Sequence, residues 1–290
     1  MTPRILLTGI NGQVGWELQR TLQPLGEVIA LDRTQCDLAD PDRLRSVVRA
    51  IRPTIVLNPA AYTAVDKAES EPELAMAING AAPGILAEEA RQLDALLVHF
   101  STDYVFDGAK PEPYVESDAT APINGYGRSK LAGEQAVEAG GCRHLIFRTC
   151  WVYGLSGHNF LRTMLRLADE RDELRVVDDQ FGAPTWARMI AETTALALAR
   201  HAGQNGIYHL CAGGATSWHG FAEAILTAAN RAGLLAKSPP VRRLTTAEFP
   251  TPARRPANSR LDCARLEKDF ALRSPDWESQ LNLCLNAAVR

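Results

Sequence analysis

The sequence predicts an α/β fold with a doubly wound parallel sheet and a smaller, interleaved C-terminal substrate domain. In the first half of the chain, short apolar runs alternate with longer stretches of helical periodicity. Several apolar runs end in glycine or in small polar residues, where strands of a parallel sheet bind ligands. After residue 154 this alternation weakens, which indicates a second domain.

Composition bounds the class of protein. The chain has 290 residues, 46% of them hydrophobic, enough for a full core in one large or two modest domains. A formal net charge of −3 gives no indication of nucleic acid or membrane as a partner. We see neither a signal-peptide pattern nor an apolar run of membrane-spanning length. The six cysteines are scattered without a C-x-x-C pair, which predicts reduced, mostly buried thiols in a cytoplasmic protein.

The first predicted strand, Arg4 to Thr8, leads into a glycine turn and a helix from Trp16 to Leu25. In that turn, Gly9 permits a tight bend, Gly12 lets the backbone approach a pyrophosphate, and Gly15 allows close packing of helix on strand. A plain glycine-rich turn is the alternative. In this strand–turn–helix context, the spacing favours a Rossmann-type dinucleotide site.

The second strand, Glu27 to Leu31, ends at an acidic residue. Asp32 can bond the adenosine ribose and would repel a 2′-phosphate, which favours NADH. Arg33 beside it could pair with that phosphate instead, so we expect both NADH and NADPH to be used. Asp37-Leu38 follows and either lies near the adenine or is an ordinary helix entry.

The third unit is a helix over 42–51 and a strand over 54–57, followed by a loop that should face the cofactor. Ala60 and Ala61 in that loop allow close backbone approach, and Val65-Asp66 should lie on the substrate side. A long helix with an irregular centre is expected over 73–92. Asn79 at its centre points to the nicotinamide or caps a helix break.

The fourth strand, Ala95 to Phe100, runs into Ser101-Thr102. Thr102 can bond a reacting oxygen, or it can simply cap the strand end. A loop rich in proline then leads to Tyr126 at the start of a helix that reaches about Ala139. The proximity of Tyr126 in sequence favours the functional interpretation of Thr102.

Tyr126 and Lys130 lie one turn apart on the same face of that helix. An ammonium a few Å away stabilises a phenolate, so we expect Lys130 to lower the pKa of Tyr126. The pair can then exchange a proton with a carbonyl or alcohol oxygen.

The remaining chain predicts less regular elements. A strand over 144–149 is followed by Cys150 to Gly154, which should border the substrate. Residues 1–154, joined by parts of 184–212, would form the dinucleotide-binding domain, and 155–290 would mainly bind substrate. Helices are expected over 159–170, 185–200, 218–232, 263–270 and 277–289, and strands over 174–177, 206–211 and 241–244.

The glycine motif, Thr102 and Tyr126-x-x-x-Lys130 resemble the extended short-chain dehydrogenase/reductase superfamily. Longer stretches across almost the whole chain are similar to one family within it, the dTDP-4-dehydrorhamnose reductases. These stretches are GQVGWELQ (12–19), TAVDKAESEPELA (63–75), STDYVFDG (101–108), YGRSKLAGE (126–134), FRTCWVYG (147–154), DDQFGAPT (178–185), YHLCAGG (208–214) and TPARRPANSRLD (251–262).

The resemblance implies reduction of the C4 keto group of dTDP-4-dehydro-L-rhamnose by NADPH or NADH, giving dTDP-L-rhamnose for cell-surface polysaccharide. It also implies a homodimer. Tyr126 would donate the proton, helped by Lys130 and Thr102. The implied cofactor residues are Gly9, Gly12, Gln13, Val14, Gly15, Asp32, Asp37, Leu38, Ala61, Tyr62, Thr63, Tyr126 and Lys130. The implied sugar-nucleotide residues are Val65, Thr102, Asp103, Tyr104, Tyr126 and Trp151.

Two further groups concern ions and phosphates. The resemblance also implies that some members of the family bind Mg²⁺ near the dimer interface through glutamates, one of which matches Glu17, whereas Arg188 stands where another glutamate is expected. The cluster of Arg254, Arg255 and Arg260 either pairs with the two phosphates of a sugar nucleotide or is solvated surface.

Two alternatives have different chemistry. A sugar-nucleotide dehydratase commonly carries an Asp-Glu pair after the threonine, but here Asp103 is followed by Tyr104. An epimerase of the same superfamily would hold its NAD tightly. A non-catalytic regulatory subunit of the same fold would not need Thr102, Tyr126 and Lys130 together.

Overall fold

The computed structural model describes residues 2–288 and has a parallel sheet at its centre. The strand order is β10-β5-β4-β3-β1-β2, and every pairing in this six-stranded sheet is parallel. The strands are β1 Arg4–Leu7, β2 Glu27–Ala30, β3 Ile55–Asn58, β4 Leu96–Thr102, β5 Arg143–Thr149, β6 Val152–Tyr153, β7 Leu174–Val177, β8 Phe181–Gly182, β9 Thr185–Trp186, β10 Gly206–His209, β11 Thr216–Ser217 and β12 Val241–Leu244.

Helices cover both faces of the sheet, so the predicted doubly wound α/β class is confirmed. They are α1 Gln13–Thr21, α2 Pro41–Ile51, α3 Pro72–Met76, α4 Ala82–Gln92, α5 Gly125–Gly140, α6 Phe160–Glu170, α7 Ala187–Ala199, α8 Trp218–Arg231, α9 Ala264–Phe270 and α10 Trp277–Ala288.

Alternation along the strands divides the core into two layers. In β1, Ile5 and Leu7 pack into the larger cluster while Leu6 packs into the cluster on the opposite face. Successive strand side chains point to opposite faces, so a strand buried on both sides is apolar throughout. This is why uninterrupted apolar runs in the sequence predicted the sheet.

Some predicted boundaries were wrong for local reasons. α1 begins at Gln13, directly after the glycine turn, and ends at Thr21, where a 3₁₀ turn over Gln23–Leu25 includes Pro24. The irregular centre expected within 73–92 is a π-helical turn, Ala77–Ala81. α7 begins two residues later than expected because Thr185 and Trp186 pair with β6 as a strand.

The position of β10 bears on the domain arrangement. This strand lies at the edge of the central sheet beside β5, although it comes late in the chain. β7 and β12 pair with each other away from the central sheet. The division into two domains near residue 154 stays a prediction.

The last helix was expected to end at Val289, which lies outside the described residues.

No helix among residues 2–288 is both long enough and apolar enough to cross a bilayer.

Candidate active site at the carboxyl edge of the sheet

The turn between β1 and α1 fits a dinucleotide pyrophosphate. Gly9 has a φ of +62°, and a Cβ atom there would lie 2.7 Å from the Cα of Ala60. A Cβ atom on Gly15 would lie 2.2 Å from the carbonyl oxygen of Gly9. α1 has no side-chain cap, so the first N–H groups of the helix are available to an anion.

Gln13 and Val14 extend this turn into the rest of the molecule. The side-chain amide of Gln13 donates to the carbonyl of Val152 at 3.4 Å, and its oxygen accepts from Asn159 at 2.9 Å. Val14 packs against the larger core cluster. Because both side chains are engaged within the protein, these two residues would bind a phosphate through their backbone N–H groups.

The carboxylate of Asp32 organises the turn after β2. Its Oδ1 accepts hydrogen bonds from the Thr34 hydroxyl at 2.6 Å and from the backbone N–H of Thr34 and Gln35. The Thr34 bond is the main cause of a lowered pKa of Asp32. Exposed Arg33 extends beside it, with its Nε 3.4 Å from Asp37 Oδ2. Asp32 could therefore accept hydrogen bonds from ribose hydroxyls, and Arg33 could pair with a 2′-phosphate.

Asp37 and Leu38 have structural partners of their own. Asp37 accepts a hydrogen bond from the Ala39 N–H at 3.0 Å, and Leu38 is buried in the second core cluster. The geometry matches the ordinary helix entry that the sequence left open. Contact of either residue with an adenosine stays a prediction.

Asn79 clamps the loop after β3 to the helix that bears Tyr126. Its Oδ1 accepts from the Tyr62 N–H at 2.8 Å, and its Nδ2 donates to the Tyr62 carbonyl at 2.9 Å and to Ser129 Oγ at 3.0 Å. The loop of Ala61, Tyr62 and Thr63 is thus held against α5. Asn79 therefore positions the loop backbone instead of capping a helix break, and its contact with the nicotinamide stays a prediction.

Thr102 and Tyr126 meet at the end of β4. Thr102 Oγ1 accepts from the Tyr104 N–H at 3.2 Å and donates to Asp103 Oδ1 at 3.0 Å. Asn124 caps α5 by accepting from the Gly127 N–H at 2.8 Å, which places Tyr126 in the first turn of the helix. The Thr102 hydroxyl lies close enough to the Tyr126 phenol to act on its pKa.

The pKa of Tyr126 is raised, which corrects the prediction that Lys130 lowers it. Burial is the largest cause, the nearby Thr102 hydroxyl acts against it, and the charge of Asp103 adds to the rise. The Lys130 ammonium is turned towards β4 instead, with Nζ 2.6 Å from the Phe100 carbonyl and 3.3 Å from His99 Nε2. In the protein alone, Tyr126 is therefore a neutral phenol that can donate its proton.

A buried polar chain behind Lys130 was not predicted. The Thr8 hydroxyl donates to Asn58 at 2.7 Å, and Asn58 Nδ2 lies 3.3 Å from Nδ1 of His99. His99 in turn contacts Lys130, which is 2% exposed. Burial lowers the pKa of Lys130 to about 8. His99 itself is kept neutral because burial lowers its pKa. The sequence carried one signal of this chain, a polar residue closing β3.

The substrate side is formed by loops from distant parts of the chain. Asp66 accepts from the Ala253 N–H at 3.1 Å and pairs with Arg255 at 2.8 Å. Asn124 also donates to the carbonyl of Arg254 at 2.8 Å. The loop over 251–262 therefore docks on both Asp66, the neighbour of half-buried Val65, and the cap of α5.

The three arginines of that loop differ in their surroundings. Arg254 is exposed, while Arg255 is held by Asp66. Burial raises the pKa of Tyr104, and the charge of Arg255 acts against that rise, which places Arg255 near this phenol. Arg260 is bound by Asn258 Oδ1 at 2.8 Å and by the carbonyl of Pro111. Arg255 therefore borders the region around Tyr104 and Tyr126.

Tyr104 and Trp151 complete the candidate substrate wall. The ring of Tyr104 packs edge-on against Tyr126, with 5.7 Å between centroids. Trp151 has a φ of +46°, unusual for a bulky residue, and stacks on Trp218 at 3.6 Å. Gly182 leaves room for this indole, because a Cβ there would lie 2.6 Å from it. Such strained residues are often found at functional sites.

The surroundings of Glu17 do not fit a magnesium ion. Its carboxylate pairs with Arg20 and, at 3.3 Å, with Arg188. Both guanidinium groups contact the same oxygen, Oε2, and place positive charge where a hard cation would have to bind. Residues 2–288 also contain no cluster of three or more His, Cys, Asp or Glu side chains with metal-binding geometry.

Asp103 provides a pH-dependent prediction. Burial raises its pKa to about 7, and its Oδ2 has no hydrogen-bond partner among residues 2–288. Between the unfolded value of 3.8 and about 7, the folded state binds more protons than the unfolded state, so this group destabilises the fold as pH rises. We expect the stability of Asp103→Asn relative to wild type to increase across that range by more than about 1 kcal/mol.

Urea denaturation of Asp103→Asn and wild type, below about pH 5 and above about pH 7, measures this difference. Asp172→Asn, at a fully exposed side chain, is the matched control and should show no such change. A stability difference that is the same at both pH values would contradict the account of Asp103.

Comparisons with known proteins agree over the whole chain. The family model described as RmlD substrate binding domain matches residues 3–290. A dTDP-4-dehydrorhamnose reductase of Burkholderia thailandensis is 52% identical over 292 residues, covering 97% of this chain and 98% of the relative.

Solved structures of such proteins are also similar. The dTDP-4-dehydrorhamnose reductase of Bacillus anthracis, solved in complex with NADP, has a TM-score of 0.90 and 38% identity, covering 98% of this chain and 99% of that one. The ortholog from Clostridium acetobutylicum has a TM-score of 0.93 and 37% identity, covering 99% and 100%.

Proposed function

Because the chain belongs to the RmlD substrate binding domain family, we propose that it reduces the C4 keto group of dTDP-4-dehydro-L-rhamnose to give dTDP-L-rhamnose. The observation that carries the chemistry is the proximity of the Thr102 hydroxyl, at the end of β4, to the phenol of Tyr126, whose pKa is raised. A neutral phenol beside a second hydroxyl is suited to protonating a nascent alkoxide.

The proposed cofactor is NADPH, bound with its pyrophosphate at the glycine turn. The Gly9 to Gly15 turn and the uncapped start of α1 support the phosphate site, and the NADP complex of the Bacillus anthracis relative supports the cofactor. NADPH, when bound, supplies the hydride that the C4 carbon receives. We assign no step to Mg²⁺, because the residues around Glu17 do not fit it.

Proton delivery is the task of Tyr126. Its Oη loses the proton to the oxygen on C4, so the carbonyl gains one hydride and one proton and becomes an alcohol. Thr102 donates its one hydroxyl hydrogen to Asp103 at 3.0 Å in the protein alone. With substrate bound, that hydrogen would turn to the same oxygen and stabilise the charge that develops there.

Lys130, one helical turn after Tyr126, is the proposed partner of both the cofactor ribose and the tyrosine. Its pKa of about 8 leaves it close to half-protonated at slightly alkaline pH, so it can hold or release a proton next to the cofactor ribose. Its contacts with Phe100 and His99 fix it on the sheet side of α5. We infer that Lys130 bonds the nicotinamide ribose and stabilises the tyrosinate after proton transfer.

The proposed sugar-nucleotide residues are Val65, Thr102, Asp103, Tyr104, Tyr126 and Trp151. Arg255 joins them as a candidate contact for a phosphate, because its Nη1 is buried without a partner among residues 2–288. An unpaired buried guanidinium nitrogen is costly, and an anionic ligand would satisfy it. The homodimer and the cytoplasmic location remain predictions.

Cofactor choice depends on Arg33. We expect Arg33→Ala to weaken NADPH binding by about tenfold and NADH binding much less, because loss of one exposed phosphate contact costs about 1.4 kcal/mol. Fluorescence titration with each cofactor measures both affinities. Arg166→Ala, in a surface pair on α6, is the control. Equal losses for NADPH and NADH would show that Arg33 does not read the 2′-phosphate.

The proposed function is tested by following absorbance of the reduced nicotinamide after addition of the 4-keto sugar nucleotide. A reductase consumes one reduced cofactor for each sugar converted. An epimerase or a dehydratase would consume none and would retain its NAD through purification. A non-catalytic subunit would show no turnover with either cofactor.

A further inference from the structure

Three of the six cysteines converge on one place although they are distant in sequence. Cys211 follows β10, Cys263 directly precedes α9, and Cys150 follows β5. The Sγ atoms of Cys211 and Cys263 are 3.5 Å apart, and Cys150 is close enough to raise the pKa of Cys211. All three are free thiols, and nothing in the proposed reduction uses them.

The two closest thiols differ in access to solvent. Cys211 is fully buried and its Sγ donates to the carbonyl of Leu261 at 3.6 Å. Cys263 is half-buried and lines a cavity of about 560 Å³, together with the side chains of Arg260 and Arg273. A small oxidant can therefore reach Cys263 directly, whereas Cys211 is reached only through it.

The contact with Cys211 favours a thiolate at Cys263. The hydrogen bond between the two thiols lowers the pKa of Cys263. Arg260 and Arg273 line the cavity, but Asp262 and Glu267 line it too, so its wall adds no net positive charge. The nucleophile and the thiol that would resolve it are thereby distinguished by their positions, one at the cavity and one buried.

We propose that Cys263 and Cys211 form a peroxide-reactive site that closes to a disulfide. The Cys263 thiolate attacks one oxygen of a hydroperoxide, giving a sulfenic acid and releasing the other oxygen as an alkoxide or hydroxide, which takes up a proton. The Cys211 sulfur then attacks the Cys263 sulfur. The sulfenic oxygen leaves as water with the Cys211 proton, so two thiols are oxidised and one peroxide is reduced.

Cys150 is not the partner in this scheme. Its Sγ donates to the carbonyl of Ala183 at 3.3 Å and it is buried away from the cavity. Cys150 is the sequence neighbour of Trp151 and therefore lies between the proposed disulfide and the candidate substrate wall.

The test treats the reduced full-length protein with stoichiometric hydrogen peroxide, blocks remaining thiols by alkylation, and maps peptides without reduction. We expect one reversible cross-link between the Cys211 and Cys263 peptides, loss of two alkylated thiols, and an intact mass lower by two hydrogens. Cys211→Ser should leave Cys263 as a sulfenic acid that a dimedone probe traps.

Cys263→Ser should slow thiol loss by at least about tenfold. The control Cys142→Ser, at a buried thiol in the opposite core layer, should oxidise like wild type. A cross-link between Cys150 and Cys211, oxidation of Cys263 no faster than of Cys142, or direct passage of wild-type Cys263 to sulfinic acid would each overturn the proposal. These readouts do not depend on reductase activity.

Discussion

Tyr126→Phe should slow the reduction by about 10²-fold or more while NADPH still binds. The substitution removes only the proton that Oη gives to the C4 oxygen, and general acids typically contribute 10² to 10⁴-fold. The ring and its edge-on contact with Tyr104 are kept, so the fold should be unaffected. Single-turnover measurement of reduced-nicotinamide oxidation separates the chemical step from cofactor binding.

A matched control uses a phenol that is remote from the site. Tyr208 hydrogen-bonds Asp269 at 3.0 Å, and Tyr208→Phe should leave turnover within about twofold of wild type. Near-normal single-turnover rates in Tyr126→Phe would mean that another group delivers the proton. Thr102, whose hydroxyl lies close to the same phenol, would then be the first candidate.

Lys130→Met should lose about 10²-fold or more in turnover without losing stability at neutral pH. Its buried ammonium is a cost to the fold, because burial lowers its pKa from 10.5 to about 8. Methionine fills a similar volume without charge, although the Phe100 carbonyl and His99 lose a partner. A group that costs stability and supports activity is expected at an active site.

The buried Lys130 also determines how the stability of the wild-type protein changes with pH. Between about pH 8 and 10.5 the unfolded state holds the Lys130 proton and the folded state does not, so this residue makes wild-type stability rise with pH. Below about pH 8 its penalty is constant. In Lys130→Met the rise should be absent in urea denaturation series. A variant much less stable than wild type at neutral pH would show that the ammonium is structural.

Local sequence patterns predicted most of what positions the site. The apolar strand β1, the glycines that follow it and Thr102 at the end of β4 are linked by backbone geometry that a short stretch of sequence specifies. Gly15 illustrates this, because a Cβ would meet the Gly9 carbonyl six residues earlier. The start of α5 was equally local, since Asn124 caps it three residues before Gly127.

Contacts between distant segments could not be predicted in this way. The clamp of Asn79 on Tyr62 and Ser129, and the chain from Thr8 to His99, join residues separated by about 17 to 50 positions. The raised pKa of Tyr126 also depends on segments that are distant in sequence. Its sign depends on burial by other segments, and helical spacing to Lys130 carries no information about burial.

The central claim is that this site adds a hydride to C4 and that Tyr126 adds the proton to the oxygen. The most direct test supplies NADPH deuterated at the transferred position, together with dTDP-4-dehydro-L-rhamnose, and examines the product by NMR and mass spectrometry. We expect dTDP-L-rhamnose with one deuterium, located at C4, and greatly slowed formation of this product in Tyr126→Phe. A product without deuterium at C4, or deuterium transfer that is unaffected in Tyr126→Phe, would contradict it.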